Sequence, residues 1–323
     1  MKRLPMKRLS FVALALGVLT ASSPRSAEGQ YPSAMGPYGV RTIEDLVLHD
    51  SLRHREIPLK VYYPAARGPF PVIVFSHGAL ASKDAYSALG EYWASYGYVS
   101  VHPSHADSIA DSGYSGTLKQ AINDPNAWEN RPRDVSFVLD ALAHVDRLAP
   151  ELKGELDLSH IGVAGHSFGA YTASLIGGTT VLIPGHRGPQ SFADKRVAAV
   201  VMLSPQGEGR LGLTADSWDH LRLPVLIMYG SLDFGPFGEP PSWRNEAFEK
   251  APPGDKYDVE LEGANHMKFA GFAVAGERPD RTFQSVKYDT LAFWDAYLKR
   301  DPIARRYLKD LKVAPEVGRL ATK

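Results

Sequence analysis

The sequence HIGVAGHSFG, residues 160–169, decides the fold of this chain. Its apolar first half predicts a short buried strand, and residues 171–176 continue as part of a helix. Between the two lies the pattern Gly-x-Ser-x-Gly, with Ser167 at its centre. A serine on a sharp strand-to-helix turn holds a strained backbone conformation that keeps its hydroxyl clear of the sheet. We therefore predict that Ser167 is a nucleophile at the tip of a strand.

The groups around this turn suit the chemistry of an activated serine. Gly165 and Gly169 lack side chains, so the strand and the helix can pass close to each other. The amide of Phe168 points to the same place as the hydroxyl and can donate a hydrogen bond to an oxyanion. A second loop, FSHGA at residues 75–79, follows another apolar strand. We predict the amide of Ala79 in that loop as the second oxyanion donor.

Strands alternate with helices on both sides of this stretch, which indicates an α/β fold with a mostly parallel sheet and helices on both faces. Residues 104–130 are polar and predict a long loop, whereas residues 257–261 predict a strand at the sheet edge. We find no repeat and no linker, which favours a single domain over residues 41–315. The gap between residues 204 and 223 is too short for a large cap domain.

The predicted strands cover residues 43–48, 59–63, 70–75, 98–101, 160–164, 197–203, 224–228 and 257–261. The predicted helices cover residues 84–96, 135–145, 171–176, 283–298 and 303–311.

The base is expected to be a histidine that follows the serine, because chains with this turn have the order serine, acid, histidine. Three histidines qualify, and they are His186, His220 and His266. His266 lies just past the last predicted strand, where its ring could reach over the serine. His186 comes before any acid, and His220 precedes a strand, at the wrong end of the sheet. We therefore predict His266 as the base, and we interpret His77 as a structural hydrogen-bonding residue.

The acid predicted from the sequence is Asp233, in the segment YGSLDFG. It lies at the carboxyl end of the strand predicted over residues 224–228, the edge at which open parallel sheets gather their catalytic groups. There it would hold the imidazole in the correct tautomer. Asp216, Asp219 and Glu262 remain as alternatives. The tip of the preceding strand, Ser-Pro-Gln, carries no carboxylate, which favours Asp233.

The absence of a large cap predicts a fairly open cleft beside these residues. We predict Gln206, Phe234 and Trp243 as substrate-binding residues, with Phe168 and Phe237 as further pocket candidates.

Metal or thiol chemistry finds little support in the sequence. The string HPSHAD, residues 102–107, contains residue types that bind metals, but no further acidic or histidine cluster completes a site. We interpret it as shaping the loop near the cleft, and we predict no metal and no cofactor. Cysteine is absent, which excludes disulfides, cysteine-ligated zinc and a thiol nucleophile.

The charge balance excludes a basic footprint for nucleic acid. Among 323 residues, Lys and Arg together number 36, as do Asp and Glu, so the formal net charge is zero. We therefore expect no nucleic-acid partner; the serine site predicted above suits a small-molecule or polymeric ester instead. The oligomeric state stays open.

The N-terminal residues predict export. Basic residues in the first ten positions are followed by a short apolar run and then by small residues, which is the pattern of a secretory signal peptide over residues 1–23. Residues 24–40 are rich in Ser, Pro and Gly and predict a flexible leader. We expect a periplasmic or secreted protein with no stable membrane anchor after cleavage. A retained membrane anchor is the alternative.

Several of these motifs resemble one branch of a known superfamily. The loop FSHG at residues 75–78, the turn GHSFG at residues 165–169, the segment RPRD at residues 131–134 and the turn at residues 264–266 are similar to the platelet-activating-factor acetylhydrolase-like and dienelactone-hydrolase-related α/β-hydrolases. Bacterial polyester hydrolases are similar in architecture. The resemblance covers nearly all of the chain after the leader. It implies an α/β-hydrolase fold and a carboxylic-ester hydrolase that needs no cofactor.

The chain also departs from these relatives. Acetylhydrolases of this group can carry their acid one strand earlier, and dienelactone hydrolases use a cysteine, so neither substrate transfers. A serine peptidase or amidase and a non-catalytic exported binding protein remain as alternatives. A dehalogenase or epoxide hydrolase would need an aspartate in place of Ser167.

Overall fold

A computed structural model of the chain describes residues 31–271, 281–310 and 318–323. Its main sheet has nine strands, and a second sheet consists of two short strands. The strands are β1 Val40–Asp50, β2 Arg55–Pro64, β3 Phe70–Ser76, β4 Val99–Pro103, β5 Leu156–His166, β6 Thr180–Val181, β7 Gln190–Ser191, β8 Val197–Leu203, β9 Val225–Gly230, β10 Lys256–Leu261 and β11 Gly318–Thr322. The α-helices are α1 Ser87–Ser95, α2 Ile109–Ser112, α3 Leu118–Ile122, α4 Pro125–Leu142, α5 Phe168–Gly177, α6 Glu246–Lys250, α7 Arg281–Tyr297 and α8 Pro302–Asp310.

The main sheet runs in the order β1-β2-β4-β3-β5-β8-β9-β10-β11. The pairs from β4 through β10 are parallel, whereas β1, β2 and β11 pair antiparallel at the two ends. The mostly parallel central sheet predicted from the sequence is therefore confirmed. Strand β5, which leads to the serine turn, lies in the middle of the sheet with β3 and β8 beside it.

Helices cover both faces of this sheet, as the alternation along β3 illustrates. Val72 and Val74 belong to the core that α4 and α5 cover, whereas Ile73 and Phe75 belong to the core under α1, α7 and α8. All four side chains are fully buried. A strand buried on both faces in this way reads as a continuous apolar run, which explains why the sequence pattern located it.

Two expectations about individual elements were wrong. Residues 104–130 contain α2, α3 and the start of α4, where the sequence predicted a long loop. The side chain of Asp124 caps α4, and Pro125 occupies its first turn, which is a common way to begin a helix. Strand β10 is not at the sheet edge, because β11 pairs with it there.

The structure also differs from the expected flexible leader over residues 31–39. Tyr31 is buried, and its ring lies 5.1 Å from that of Tyr307 in α8. The Tyr92 hydroxyl donates to Pro32 O at 2.5 Å, so this segment packs on the α1 side of the domain. Residues 1–30, which include the predicted signal peptide, lie outside the described residues.

Among the residues that the structure describes, no separate domain covers the space above the serine turn. Within residues 31–271, the connection from β8 to β9 consists of turns.

Among the described residues, none of the helices is both long and apolar enough to span a bilayer.

Candidate active site

Ser167 occupies the turn between β5 and α5 with a backbone φ of 55° and ψ of −121°. This left-handed conformation is rarely adopted by a non-glycine residue and marks local strain. The surrounding glycines explain how the turn fits. A Cβ at Gly169 would collide with the Ser76 carbonyl oxygen, and one at Gly165 would collide with the Gly169 carbonyl. The turn therefore presses against β3, and the serine stands at the carboxyl edge of the sheet.

The predicted acid and base lie in contact at the same edge. Asp233 follows β9, and His266 begins a short 3-10 turn, His266–Ala270, that follows β10. His266 Nδ1 lies 2.9 Å from Asp233 Oδ1. The carboxyl is fully buried, whereas the side chain of His266 is 29% exposed. This pairing leaves Nε2 as the imidazole nitrogen that can exchange a proton with another group.

Arg244 shares the carboxylate with this histidine, and no pattern in the sequence predicts its role. Its Nη2 lies 3.0 Å from Asp233 Oδ1, and its Nη1 donates to Pro205 O at 2.9 Å. Burial raises the pKa of Asp233, but the hydrogen bond from His266 and the positive charge of Arg244 outweigh burial, so the pKa lies below its ordinary value. The carboxylate therefore stays ionised beside the imidazole.

A chain of hydrogen bonds joins three loops of the site. Gly78 N donates to the Tyr86 hydroxyl at 3.2 Å, and that oxygen lies 2.9 Å from His166 Nδ1. On the other side of the ring, His166 Nε2 lies 3.0 Å from His266 O. Burial, followed by the proximity of His266, holds the pKa of His166 well below its usual value. A neutral ring with one donor and one acceptor nitrogen satisfies both contacts.

The two residues that carry the predicted oxyanion amides line one cavity. Ala79 and Phe168 line it together with Ser167 and His266. Among the described residues, neither amide donates a hydrogen bond to another protein atom. Two free amides close to a serine hydroxyl are the arrangement that binds a developing negative charge on oxygen.

This cavity has a volume of about 560 Å³ and mostly apolar walls. Gln206, Phe234, Phe237 and Trp243, the pocket residues expected from the sequence, all lie on its wall. The contribution of α3 was not predicted, because the polar composition of residues 104–130 indicates a loop. The further lining side chains that the sequence did not indicate include Leu118, Ile122, Leu211 and Met267.

The alternative bases and acids lie elsewhere. His186 faces Glu129, with 3.7 Å between His186 Nε2 and Glu129 Oε2. His220, Asp216 and Asp219 are exposed, and none of them lines the cavity. Of the predicted residues, Ser167 and His266 line one cavity, and Asp233 pairs with His266.

The string over residues 102–107 takes part in buried hydrogen bonds. His102 Nε2 lies 2.8 Å from the Ser100 hydroxyl, and His105 Nδ1 lies 3.0 Å from Asp134 Oδ2. His77, interpreted as structural, accepts a hydrogen bond from the amide of His105 at 2.9 Å. In the part of the chain that the structure describes, His, Asp and Glu side chains do not form a group able to hold a metal ion.

Comparison with known proteins supports the fold. The family model of chlorophyllase matches residues 34–178, which contain Ala79 and Ser167. Platelet-activating factor acetylhydrolase of Cavia porcellus is 30% identical over 148 residues, which are 36% of this chain and 34% of that protein. Cutinase est1 of Thermobifida alba is 25% identical over 263 residues, 81% of this chain and 71% of the cutinase.

Chlorophyllase-1 of Citrus sinensis is 32% identical over 116 residues, 36% of this chain and 31% of that protein. The matches to the acetylhydrolases span between about a third and a half of those relatives' length. The relatives carry names of ester-cleaving proteins, and the region that the family model matches includes the serine turn.

Proposed function

Because the chain belongs to the α/β-hydrolase superfamily of serine esterases, we propose that it hydrolyses carboxylic esters through Ser167, Asp233 and His266. The observation that carries this proposal is the strained Ser167 in the wall of a cavity that also contains His266, whose ring is paired with Asp233. A strained serine, a histidine and a buried carboxylate in this order are the parts of an acyl-transfer site.

Acylation begins when His266 Nε2 takes the proton of the Ser167 hydroxyl and the serine oxygen bonds to the ester carbonyl carbon. The carbonyl oxygen becomes an oxyanion and accepts hydrogen bonds from the Ala79 and Phe168 amides. Asp233 stabilises the imidazolium that forms. The bond between carbon and the alcohol oxygen then breaks, and the alcohol leaves with the proton from His266.

Deacylation repeats these steps with water. His266 accepts a proton from water as its oxygen attacks the acyl carbon, and the second oxyanion occupies the same two amides. The bond to Ser167 breaks, the serine recovers its proton from His266, and the carboxylic acid departs. Each proton is returned within the cycle, so the reaction needs no cofactor.

The substrates we propose are short-acyl, lipid-like or polyester esters. The cavity is large enough for a small acyl chain, its walls are mostly apolar, and it opens beside exposed apolar side chains. Export to the periplasm or the medium is part of the same proposal, and it rests on the sequence of residues 1–23.

Hydrolysis of p-nitrophenyl esters, from acetate to octanoate, tests the proposal. We expect activity in the parent protein and a loss of about 10⁴-fold or more in kcat in Ser167→Ala and Asp233→Asn. His186→Ala and Asp216→Asn are matched controls, because these residues lie outside the cavity, and both should keep the parent rate.

Other outcomes separate the alternatives. Cleavage of peptide anilides without cleavage of esters would identify a peptidase or amidase built on the same three residues. A folded protein that cleaves neither class would contradict the proposal and favour a binding protein. Equal activity in the parent and Ser167→Ala would exclude the serine as nucleophile.

A further inference from the structure

A buried arginine holds the loop that carries Ala79. Arg131 lies in α4, and its side chain is 1% exposed. Its Nη1 donates to His77 O at 2.9 Å, and its Nη2 donates to Gly78 O at 3.4 Å. The Gly78 carbonyl and the Ala79 amide are the two ends of one planar peptide unit. Because they point in opposite directions in a trans peptide, a donor that fixes the carbonyl also aims the amide.

The same guanidinium contacts the residue that carries the other amide. The Arg131 Cζ lies 4.4 Å from the centroid of the Phe168 ring. A guanidinium over an aromatic face is attracted by the electron density of the ring, and the attraction strengthens where water is excluded. Phe168 is the first residue of α5, so the contact restrains the start of that helix, where the amide of Phe168 is free.

Asp107 completes the arrangement from the other side of the loop. Its carboxylate receives two hydrogen bonds from Arg131, one from Nε at 2.9 Å and one from Nη2 at 3.0 Å. Its Oδ2 also accepts from the amide of Leu80 at 3.2 Å. Burial raises the pKa of Asp107, but the charge of Arg131 outweighs it and holds the pKa well below the ordinary value. The pair therefore stays charged and fixes residues 77–80.

Stability alone does not account for this pair. Removing two charges from water costs free energy that their attraction often fails to recover, and well-packed apolar side chains can replace a buried ion pair without loss of stability. Apolar side chains could not, however, hold two carbonyls and one amide of a loop in a fixed orientation. The contacts of Arg131 and Asp107 therefore suit a role in orienting this loop better than a role in packing the core.

We infer that Arg131, supported by Asp107, is a positioning residue that holds both oxyanion amides toward the reacting carbonyl. The inference rests on the proposed ester hydrolysis. Neither residue lines the cavity that contains Ser167, so both act through Ala79 and Phe168. An oxyanion site accelerates a reaction only when its donors are already placed where the charge develops.

The test compares an ester with its thionoester, in which sulfur replaces the carbonyl oxygen. Sulfur is a weak acceptor, so the thionoester gains little from the two amides. In Arg131→Met we expect kcat/KM for the oxygen ester to fall about 10²-fold, the effect of losing an oxyanion donor. The rate for the thionoester should fall less, so that the ratio of the two rates drops about tenfold or more. Titration of Ser167 with an organophosphorus reagent normalises each rate to correctly folded protein.

Three further variants keep the result unambiguous. The double variant Arg131→Met with Asp107→Leu removes both charges, so its folding does not suffer from an unpaired buried carboxylate; it should show the same drop in the ratio. Arg131→Lys keeps the charge without the planar fork and should restore part of the ratio. Arg133→Met is the matched control on the same helix, since Arg133 is half exposed and pairs with Glu129; it should leave the ratio unchanged.

Equal losses on the oxygen and sulfur esters, or an unchanged normalised kcat in the folded double variant, would overturn the inference and leave the pair a structural role. A parent protein inactive on every ester would refute the proposed function first, and the inference with it. The two failures are thus distinguished by the activity of the parent.

Discussion

At position 169 the backbone leaves room for a hydrogen atom and nothing larger, because a Cβ there would meet the Ser76 carbonyl. We expect Gly169→Ala to lower the free energy of unfolding by about 3 kcal/mol or more, since a backbone carbonyl cannot rotate away as a side chain can. Urea unfolding of both proteins measures the change. Gly39→Ala is the matched control, because its Cβ would make an ordinary contact with Ala65. Similar stabilities for the two variants would contradict the expected clash.

Arg244 supports a second prediction on the scale of single residues. Removal of this guanidinium in Arg244→Met leaves a buried Asp233 carboxylate with a hydrogen bond to His266 but without its positively charged partner. Loss of one partner of a buried ion pair typically costs about 3–5 kcal/mol, and we expect that decrease in the free energy of unfolding. Arg222→Met, at an exposed arginine, should change stability by no more than about 0.5 kcal/mol. Denaturant titration of both variants checks the difference.

The three residues predicted from their order along the chain, Ser167, Asp233 and His266, could be located because each follows a strand recognisable from its apolar run. Arg244 and Arg131 could not. Each is a charged residue whose partners lie in loops distant along the sequence, and burial of a charge depends on those partners rather than on any local pattern.

At the scale of elements, the buried parallel strands were predictable and the short peripheral ones were not. The central strands bury both faces and are marked by apolar runs. Helix α4 begins earlier than its apolar periodicity indicated, at Asp124 and Pro125, and this capping pair was a usable signal in the sequence. Strand β11 is five residues long and has no fully buried residue, so its place depends on pairing with β10.

Strand β11 supports a prediction at this scale. Its removal, by a stop after residue 317, exposes the backbone of β10 as a free sheet edge, and such edges promote association between chains. It also removes Arg319, whose Nη2 lies 3.5 Å from the buried Asp258. We expect lower thermal stability and concentration-dependent aggregation, measured by melting and light scattering. Arg319→Gln keeps the strand but removes the contact with Asp258. If strand pairing contributes most of the stability, this variant should melt at a temperature between those of the parent and the truncated protein, and it should stay monodisperse.

At the scale of the whole molecule, exposed apolar side chains gather at the mouth of the cavity. Leu118, Phe234, Phe237 and Met267 are all large, exposed and part of the cavity lining. If they contact the substrate, the double variant Phe234→Ser with Met267→Ser should lower kcat/KM for octanoate about tenfold while acetate changes little, because each buried methylene contributes about 0.8 kcal/mol. Leu52→Ser is the control, because this leucine is exposed and does not line the cavity. An unchanged ratio of the octanoate and acetate rates would show that Phe234 and Met267 do not bind the acyl chain.

The buried histidines make the stability of the molecule depend on pH. Burial lowers the pKa of His77, His102, His105 and His166, and for His102 burial and the charge of Lys60 lower it to about 3. In the unfolded chain a histidine titrates near about 6.5. Below that pH the unfolded state binds protons that the folded state does not, so stability is fully present above about pH 6.5 and falls as the pH decreases.

His102 provides the sharpest test of this dependence, because its side chain is buried against Phe75 and touches no part of the cavity. A single proton that binds the unfolded chain but not the folded protein makes the free energy of unfolding change by about 1.4 kcal/mol per pH unit. We expect His102→Gln to be less stable than the parent protein. Between about pH 5.5 and 4.5, however, its free energy of unfolding should fall less steeply, and the two slopes should differ by about 1.4 kcal/mol per pH unit. His144→Gln, at an exposed histidine, should keep the parent slope. Urea unfolding at each pH measures the slopes, and parallel slopes for the parent and His102→Gln would mean that His102 accepts a proton in the folded protein.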